Sequence, residues 1–212
     1  MTQEITVAQQ LTTVVFDVGN VLVEWDPRHL YRDLLDGDEM LMVDFLGEVC
    51  TPEWNAEQDR GRSWAEAVAV LTAERPDCAE LIRAFDECWS ATVPGEIEGS
   101  VDLLRRWRRP GRPRFALTSV SAEEVDVSRR RFVFFDLFDG IVVSAHERLI
   151  KPDPALYRVL FDRYGLDPRA CAFIDDSAPN VATARELGMT AWRFVGAAQF
   201  EADLAAAGLL KT

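Results

Sequence analysis

The segment VVFDVGNVL, residues 14–22, decides the fold, because an apolar β-branched run ends there in a carboxylate and a turn. The pattern over residues 12–18 predicts a strand that is buried on both faces. Gly19 and Asn20 then permit a tight turn. Beyond this segment, predicted strands alternate with predicted helices. Such alternation favours an α/β fold with a doubly wound, mostly parallel sheet and a Rossmann-like core.

Further elements follow from hydrophobic period and from the residues that start and stop helices. Strands are predicted at residues 114–118, 140–143, 171–174 and 190–194. Helices are predicted at residues 101–107, from the capping box at residues 121–124, over residues 153–165 with a proline in the first turn, and from Ser177 to Gly188. The parallel sheet would then be flanked by helices on both faces.

One long stretch lacks a strand pattern. Over residues 26–92, leucines and aromatic residues recur at helical spacing, which predicts an insert of four or five helices. Pro94 and Gly95 mark the end of the insert. We therefore predict an α/β catalytic core from residues 1–24 and 95–212. Residues 25–94 would form a small all-α cap inserted after the first strand.

Polar groups suited to phosphate chemistry stand in four segments: residues 14–22, 115–119, 150–154 and 172–177. The first contributes the carboxylate of Asp17, and the second contributes the hydroxyl of Thr118. The third contributes the ammonium of Lys151, and the fourth contributes the carboxylate pair Asp175 and Asp176. Three of these segments place their polar groups at the carboxyl ends of buried strands, the edge at which open α/β sheets bind ligands.

These four segments, in this order, resemble the motifs of the haloacid dehalogenase superfamily, a large group of mostly magnesium-dependent phosphatases. The resemblance covers residues 12–194, and residues 16–27 are similar to a branch with a small helical cap. It implies Asp17 as a carboxylate nucleophile that forms an aspartyl-phosphate, Thr118 as a phosphate-binding hydroxyl and Lys151 as a charge-balancing ammonium. The alternative for Asp17 is that it only caps the turn.

The resemblance also implies a bound Mg²⁺, which suits oxygen ligands and a phosphate substrate. Its ligands would be Asp17, the backbone carbonyl of Gly19 and Asp175, with Asp176 binding directly or through water. Two adjacent carboxylates at a strand end repel each other unless a cation lies near them. The alternative is that Asp175 and Asp176 are helix N-caps.

Gly19 departs from the family pattern, because the phosphatases place there a second aspartate that protonates the leaving group. Either the substrate has a leaving group that departs readily without protonation, or another acidic residue protonates it, or the leaving group is a halide, which needs no proton. The acids considered are Asp26, His29, Asp59 and His146. A second departure is Ser119-Val120, where the family often has asparagine and an aromatic residue.

Substrate contacts are expected from two regions. Near the strand ends the candidates are Gly19, Asn20, Ser119 and Asn180. In metal-independent dehalogenases of the superfamily, an asparagine near position 180 helps to bind the substrate. In the insert the candidates are Trp54, Asn55, Asp59 and Arg60. A cap of this kind can exclude water and select the substrate, although its tryptophans fit a hydrophobic core equally well.

Composition excludes several classes. The chain has 212 residues, 48% of them apolar, and a formal net charge of −13. The apolar fraction excludes disorder, and the acidity makes nucleic acid an improbable partner. No run of eighteen apolar residues predicts a membrane span, and residues 1–4 do not resemble a signal peptide. Arginines cluster over residues 105–114 and 129–131, which we interpret as helix C-termini, with a polyanion contact as the alternative.

The four cysteines, Cys50, Cys78, Cys88 and Cys171, have no CxxC spacing, which argues against a zinc site. Free thiols favour a cytoplasmic location. Three functions remain: a Mg²⁺-dependent phosphatase of a small phosphorylated metabolite such as a sugar phosphate, a metal-independent 2-haloacid dehalogenase that uses Asp17, and a catalytically weak binding or regulatory protein. Asp175 and Asp176 favour the first, whereas Gly19 favours the other two. The sequence does not predict the oligomeric state.

Overall fold

The computed structural model describes residues 11–107 and 111–210. Its strands form one sheet in which all neighbours are parallel. They are β1 (Thr13–Phe16), β2 (Arg114–Thr118), β3 (Gly140–Val143), β4 (Cys171–Asp175) and β5 (Thr190–Arg193). Their order in the sheet is β3-β2-β1-β4-β5. The expected α/β class is confirmed, and β1 lies at the centre of the sheet, which explains its continuous apolar run.

The described residues also form eleven α-helices. They are α1 (Arg28–Leu34), α2 (Glu39–Glu48), α3 (Pro52–Asp59), α4 (Trp64–Glu74), α5 (Ala79–Glu87), α6 (Glu98–Arg106), α7 (Ala122–Arg131), α8 (Ser144–Glu147), α9 (Pro154–Tyr164), α10 (Ala178–Glu186) and α11 (Ala197–Ala206). Val14 and Phe16 of β1 share a hydrophobic cluster with α6 and α11, whereas Val15 packs with α9 and α10. The alternation along β1 therefore builds a core on both faces of the sheet.

The insert between β1 and α6 consists of α1 to α5, which agrees with the predicted four or five helices. The start of α3 shows why the chain becomes helical there: the Thr51 hydroxyl accepts the backbone N–H of Trp54 at 3.2 Å, and Pro52 occupies the first turn. This helix ends at Asp59. The division into a core, residues 1–24 and 95–212, and a cap, residues 25–94, stays a prediction.

Local predictions differ from the structure at the end of β1 and at the start of α10, among other element ends. The first strand ends at Phe16 rather than at residue 18, because the carbonyl of Val18 already accepts the backbone N–H groups of the following turn. Ser177 occupies the N-cap position of α10, but its side chain makes no capping bond. Its backbone N–H instead donates to the Asp175 carboxylate at 2.8 Å.

The arginines of the two clusters have different surroundings in the structure. Arg105 and Arg106 lie in the last turn of α6, and residues 129–131 lie in the last turn of α7, as expected. Arg114 differs, because it is buried in β2 and donates to the carbonyl of Leu104 at 3.2 Å. Arg108 and Arg109 lie outside the described residues. In the described part of the chain, no helix is long and apolar enough to cross a lipid bilayer.

Candidate active site

The polar residues of the four sequence segments meet at the carboxyl edge of the sheet. Asp17 directly follows β1, Thr118 ends β2 and Asp175 ends β4. These three strands are parallel neighbours, so their carboxyl ends lie side by side. Lys151 reaches the same edge from the turn between α8 and α9, and Asp176 follows β4.

Lys151 bridges two of the carboxylates. Its Nζ atom lies 2.7 Å from Asp17 Oδ1 and 2.7 Å from Asp175 Oδ2, and only 2% of its side chain is exposed. Burial lowers the pKa of Lys151, but the attraction of Asp17 and Asp175 outweighs burial, so its pKa is raised overall. The ammonium is therefore held charged between the two carboxylates.

Asp175 is fully buried and held by donors from α10. Asn180 Nδ2 donates to both of its carboxylate oxygens, at 2.9 and 3.0 Å. The Ser177 backbone N–H completes the set. These bonds orient the carboxylate, so Asn180, a predicted substrate-binding residue, also positions Asp175.

Asp17, Asp175 and Asp176 form a cluster in which one oxygen of each lies within 4.8 Å of the others. Burial raises the pKa of Asp17 well above its usual range; Lys151 opposes this rise, and Asp175 and Asp176 add to it. Burial and Asp175 likewise raise the pKa of Asp176. Three crowded carboxylates with a single buried ammonium favour the binding of a further cation.

The turn after β1 shapes the rim of the site. The Val18 backbone N–H donates to Asp17 Oδ1 at 2.7 Å and fixes this oxygen together with Lys151. Asn20 adopts a φ of 54°, and its side-chain oxygen accepts the Trp25 backbone N–H at 3.0 Å. A Cβ atom added at Gly19 would meet no atom within 4 Å, so position 19 opens onto free space.

A cavity of about 260 Å³ opens above these residues. The predicted site residues in its wall are Asp17, Gly19, Asn20, Asn55, Asp59, Thr118, Ser119, Lys151, Asp176 and Asn180. Asp175 lies behind this wall, in contact with Lys151. The cavity therefore joins the strand ends to α3 of the insert.

Trp54 and Arg60 were expected to bind substrate, but neither is among the described residues that line this cavity. The Trp54 ring packs against those of Trp64 and Phe85, with centroids 5.4 and 5.8 Å away. The Arg60 guanidinium is exposed and contacts Glu57 at 2.6 Å. Neither Trp54 in α3 nor Arg60, which follows α3, therefore contributes to the wall of this cavity.

Of the four acids proposed to replace the carboxylate missing at position 19, only Asp59 lines the cavity. His146 is exposed on α8, and His29 lies with Asp26 in a separate surface groove. Hydrogen bonds from Arg28 outweigh burial and hold the pKa of Asp26 below its usual value. The structure therefore reduces the predicted acids to one.

Glu124 was missed by sequence reasoning, which treated it only as part of a helix cap. It belongs to the capping box of α7 and accepts the Ser121 backbone N–H through Oε2 at 3.3 Å. Its other oxygen, Oε1, is buried and has no hydrogen-bond partner among the described residues. Burial, with the nearby Asp59 as the next cause, raises the pKa of Glu124 to about 8.

Asp59 faces the same cavity from α3. Burial raises the pKa of Asp59 to about 7, and the charges of Lys151 and Arg60 oppose a larger rise. Two carboxyl groups, Asp59 from the insert and Glu124 from the core, therefore stand in the cavity wall with pKa values near neutrality.

Glu124→Gln is expected to flatten the pH dependence of the free energy of unfolding between about pH 4.5 and pH 8. Glutamine keeps the capping-box geometry. The folded-state pKa of Glu124 lies above its usual 4.5. The stabilising contribution of the protonated Glu124 carboxyl group to the free energy of unfolding is therefore complete below pH 4.5. It is lost as pH rises toward 8, at about 1.4 kcal/mol per pH unit. Urea unfolding across this range measures the slope. The control is Asp126→Asn, which removes an exposed carboxylate. If Glu124→Gln has the same pH dependence of the free energy of unfolding as the wild type and this control, Glu124 is ionised in the folded protein.

Comparison with known proteins now identifies the class. Residues 11–188 match the family model for a hydrolase, described as haloacid dehalogenase-like hydrolase. This match spans most of the chain, so the protein belongs to the haloacid dehalogenase-like hydrolases. The resemblance seen in the four segments is thereby confirmed.

Particular relatives are similar over most of their length. The sesquiterpene phosphatase astK of Aspergillus oryzae is 26% identical over 187 residues, covering 82% of this chain and 85% of the relative. The fructose-1-phosphate phosphatase YqaB of Escherichia coli is 24% identical over 189 residues, covering 84% and 93%. An HAD family enzyme of Bacteroides thetaiotaomicron, solved with magnesium and inorganic phosphate, has a TM-score of 0.68 at 21% identity, covering 86% and 93%. The last likeness shows the shared fold.

Proposed function

We propose that this hydrolase is a Mg²⁺-dependent phosphatase that acts on a small phosphorylated metabolite through an aspartyl-phosphate on Asp17. The observation that carries the proposal is the position of Lys151, which contacts both Asp17 and Asp175 beside Asp176. The relatives astK and YqaB, both named as phosphatases, support it. Sugar phosphates are the first candidate substrates.

The residues present fit the ion that the proposal requires. Asp17, Asp175 and Asp176 offer clustered carboxylate oxygens, the ligand type that Mg²⁺ prefers. Asp17 would hold the ion with Asp175, Asp176 and the carbonyl of Gly19. When bound, Mg²⁺ supplies positive charge that favours ionised carboxylates and offsets the charge of a phosphoryl group.

The first chemical step uses Asp17 as the nucleophile. Its carboxylate attacks phosphorus, and the bond from phosphorus to the leaving-group oxygen breaks, which leaves an aspartyl-phosphate. The Val18 N–H and Lys151 orient the carboxylate through Oδ1. The hydroxyls of Thr118 and Ser119, which line the cavity, would donate to phosphoryl oxygens.

The second step releases phosphate. Water attacks phosphorus of the aspartyl-phosphate, the bond to Asp17 breaks, and the carboxylate is restored. Lys151 remains beside Asp17 in both steps and balances negative charge. The burial of Asp17 and Lys151 strengthens these interactions, since the low-dielectric site screens charge weakly.

Phosphate release from a panel of sugar and acyl phosphates tests the proposal. We expect turnover that EDTA suppresses and Mg²⁺ restores, by roughly 10²-fold or more, because several kcal/mol of charge stabilisation depend on the ion. Chloroacetate and fluoroacetate serve as parallel substrates for halide release. Halide release that is indifferent to EDTA would contradict the phosphatase and support the dehalogenase. No turnover of either type would support the binding or regulatory protein.

A further inference from the structure

Gly19 leaves the first chemical step without an evident proton donor. When phosphorus separates from an alkyl alcohol, the leaving oxygen develops negative charge, and a positioned acid accelerates this step. Position 19 carries no carboxyl group, whereas Asp59 and Glu124 line the same cavity as Gly19. Neither carboxyl group has a role in the transfer of the phosphoryl group to Asp17 or in its hydrolysis as described so far.

Both groups line the cavity in which a substrate would lie. Asp59 is the last residue of α3, and Glu124 lies in the first turn of α7, so the pair joins the insert to the core across one cavity. The capping box fixes Glu124 through Oε2. Its Oε1 atom is buried and has no hydrogen-bond partner among the residues that the structure describes, a costly state that a hydroxyl group of a ligand would relieve.

The charges that act on Asp59 and those that act on Glu124 have opposite signs. The cations that act on Asp59 are Lys151 and Arg60, and they favour its ionised form. The acidic groups that act on Glu124 are Asp59 and the adjacent Glu123, and they favour its protonated form. Asp59 therefore gives up a proton more readily than Glu124, and an acid is most effective when its pKa lies near the working pH.

We infer that Asp59 protonates the leaving-group oxygen and that Glu124, an acidic neighbour of Asp59 in the same cavity, acts on Asp59 through its charge. The inference rests on the proposed phosphatase activity. In the first step, the P–O bond to the alcohol and the O–H bond of Asp59 break, and the O–H bond of the alcohol forms. In the second step, the attacking water transfers its proton to the Asp59 carboxylate as phosphate leaves Asp17. The proton and the carboxylates are restored after each cycle.

The test compares leaving groups that need an acid with leaving groups that do not. Asp59→Asn is assayed with a hexose 6-phosphate and with acetyl phosphate, whose acetate leaves without protonation. We expect kcat/KM, which reports the steps up to departure of the leaving group, to fall by roughly 10²–10⁴-fold on the hexose 6-phosphate and to change by less than about threefold on acetyl phosphate. Glu53→Gln, an exposed carboxylate on α3, is the matched control and should change neither rate.

Glu124→Gln tests the role of Glu124. We expect a smaller loss of kcat/KM on the hexose 6-phosphate than for Asp59→Asn, with an altered basic limb of the pH–kcat/KM profile, while acetyl phosphate keeps the wild-type profile. Asp126→Asn on α7 is the control. An unaltered profile in Glu124→Gln would overturn the role of Glu124.

A rescue experiment exploits the open space at Gly19. In the Asp59→Asn background, Gly19→Asp should restore hexose 6-phosphate turnover, because it supplies a carboxyl group in the same cavity two residues after the nucleophile. Equal losses on both substrates in Asp59→Asn would overturn the inference, as would a wild-type enzyme that hydrolyses acyl phosphates but no alkyl phosphate. A wild-type enzyme silent on every phosphate would instead overturn the proposed function.

Discussion

Asp17→Asn will abolish Mg²⁺-stimulated phosphate release, by roughly 10⁴-fold or more, because an amide cannot form the aspartyl-phosphate. The fold should persist, since Lys151 keeps Asp175 as a partner and the variant removes one of three crowded carboxylates. We therefore expect the variant to melt at or above the wild-type temperature in EDTA. Phosphate release and thermal melting measure the two effects separately.

A covalent readout makes this result specific to the nucleophile. Wild-type enzyme quenched in acid during turnover should carry one phosphoryl group on the peptide that contains Asp17, and Asp17→Asn should carry none. Asp33→Asn, an exposed carboxylate on α1, is the control and should behave as wild type. A phosphorylated peptide elsewhere in the chain, or substantial turnover by Asp17→Asn, would contradict the assignment of the nucleophile.

Lys151→Met will lower the free energy of unfolding in EDTA by about 3–5 kcal/mol, because it leaves two buried carboxylates without their shared cation. Lys151 is nearly inaccessible and contacts Asp17 and Asp175 at 2.7 Å each, so water cannot replace it. Activity should be lost together with stability, since the same ammonium balances charge during phosphoryl transfer. Urea unfolding gives the energy directly.

Two comparisons show whether charge is the cause. Arg158→Met removes an exposed cation from α9 and should change the free energy of unfolding little. Adding Asp175→Asn to Lys151→Met should recover part of the loss, because one uncompensated carboxylate is removed. Saturating Mg²⁺ should also recover part of it, by about 2.7 kcal/mol at a hundred times the Kd. A loss below about 1 kcal/mol for Lys151→Met would mean that the ammonium is not held as described.

The strand predictions agree closely with the structure where the pattern is local. Residues 114–118 and 140–143 have the predicted bounds, and Cys171 begins β4 as expected. The first strand is shorter than its apolar run because hydrogen bonds of the following turn take over at Val18. Hydrophobic period thus predicts burial better than it predicts the last residue of a strand.

The sequence by itself determined which residues meet at the carboxyl edge. Strands that alternate with helices form a parallel sheet, and such a sheet collects its strand ends on one side, so Asp17, Thr118 and Asp175 had to converge. Only the tertiary structure decided which side chains of the insert reach the cavity. In the structure Asp59 lines the cavity, whereas Trp54 packs against the ring of Trp64 instead. One oxygen of Glu124 is buried. Packing between segments distant in sequence buries both groups, and burial raises the pKa values of Asp59 and Glu124. The nearby Asp59 adds to the rise for Glu124, whereas the charge of Lys151 opposes the rise for Asp59.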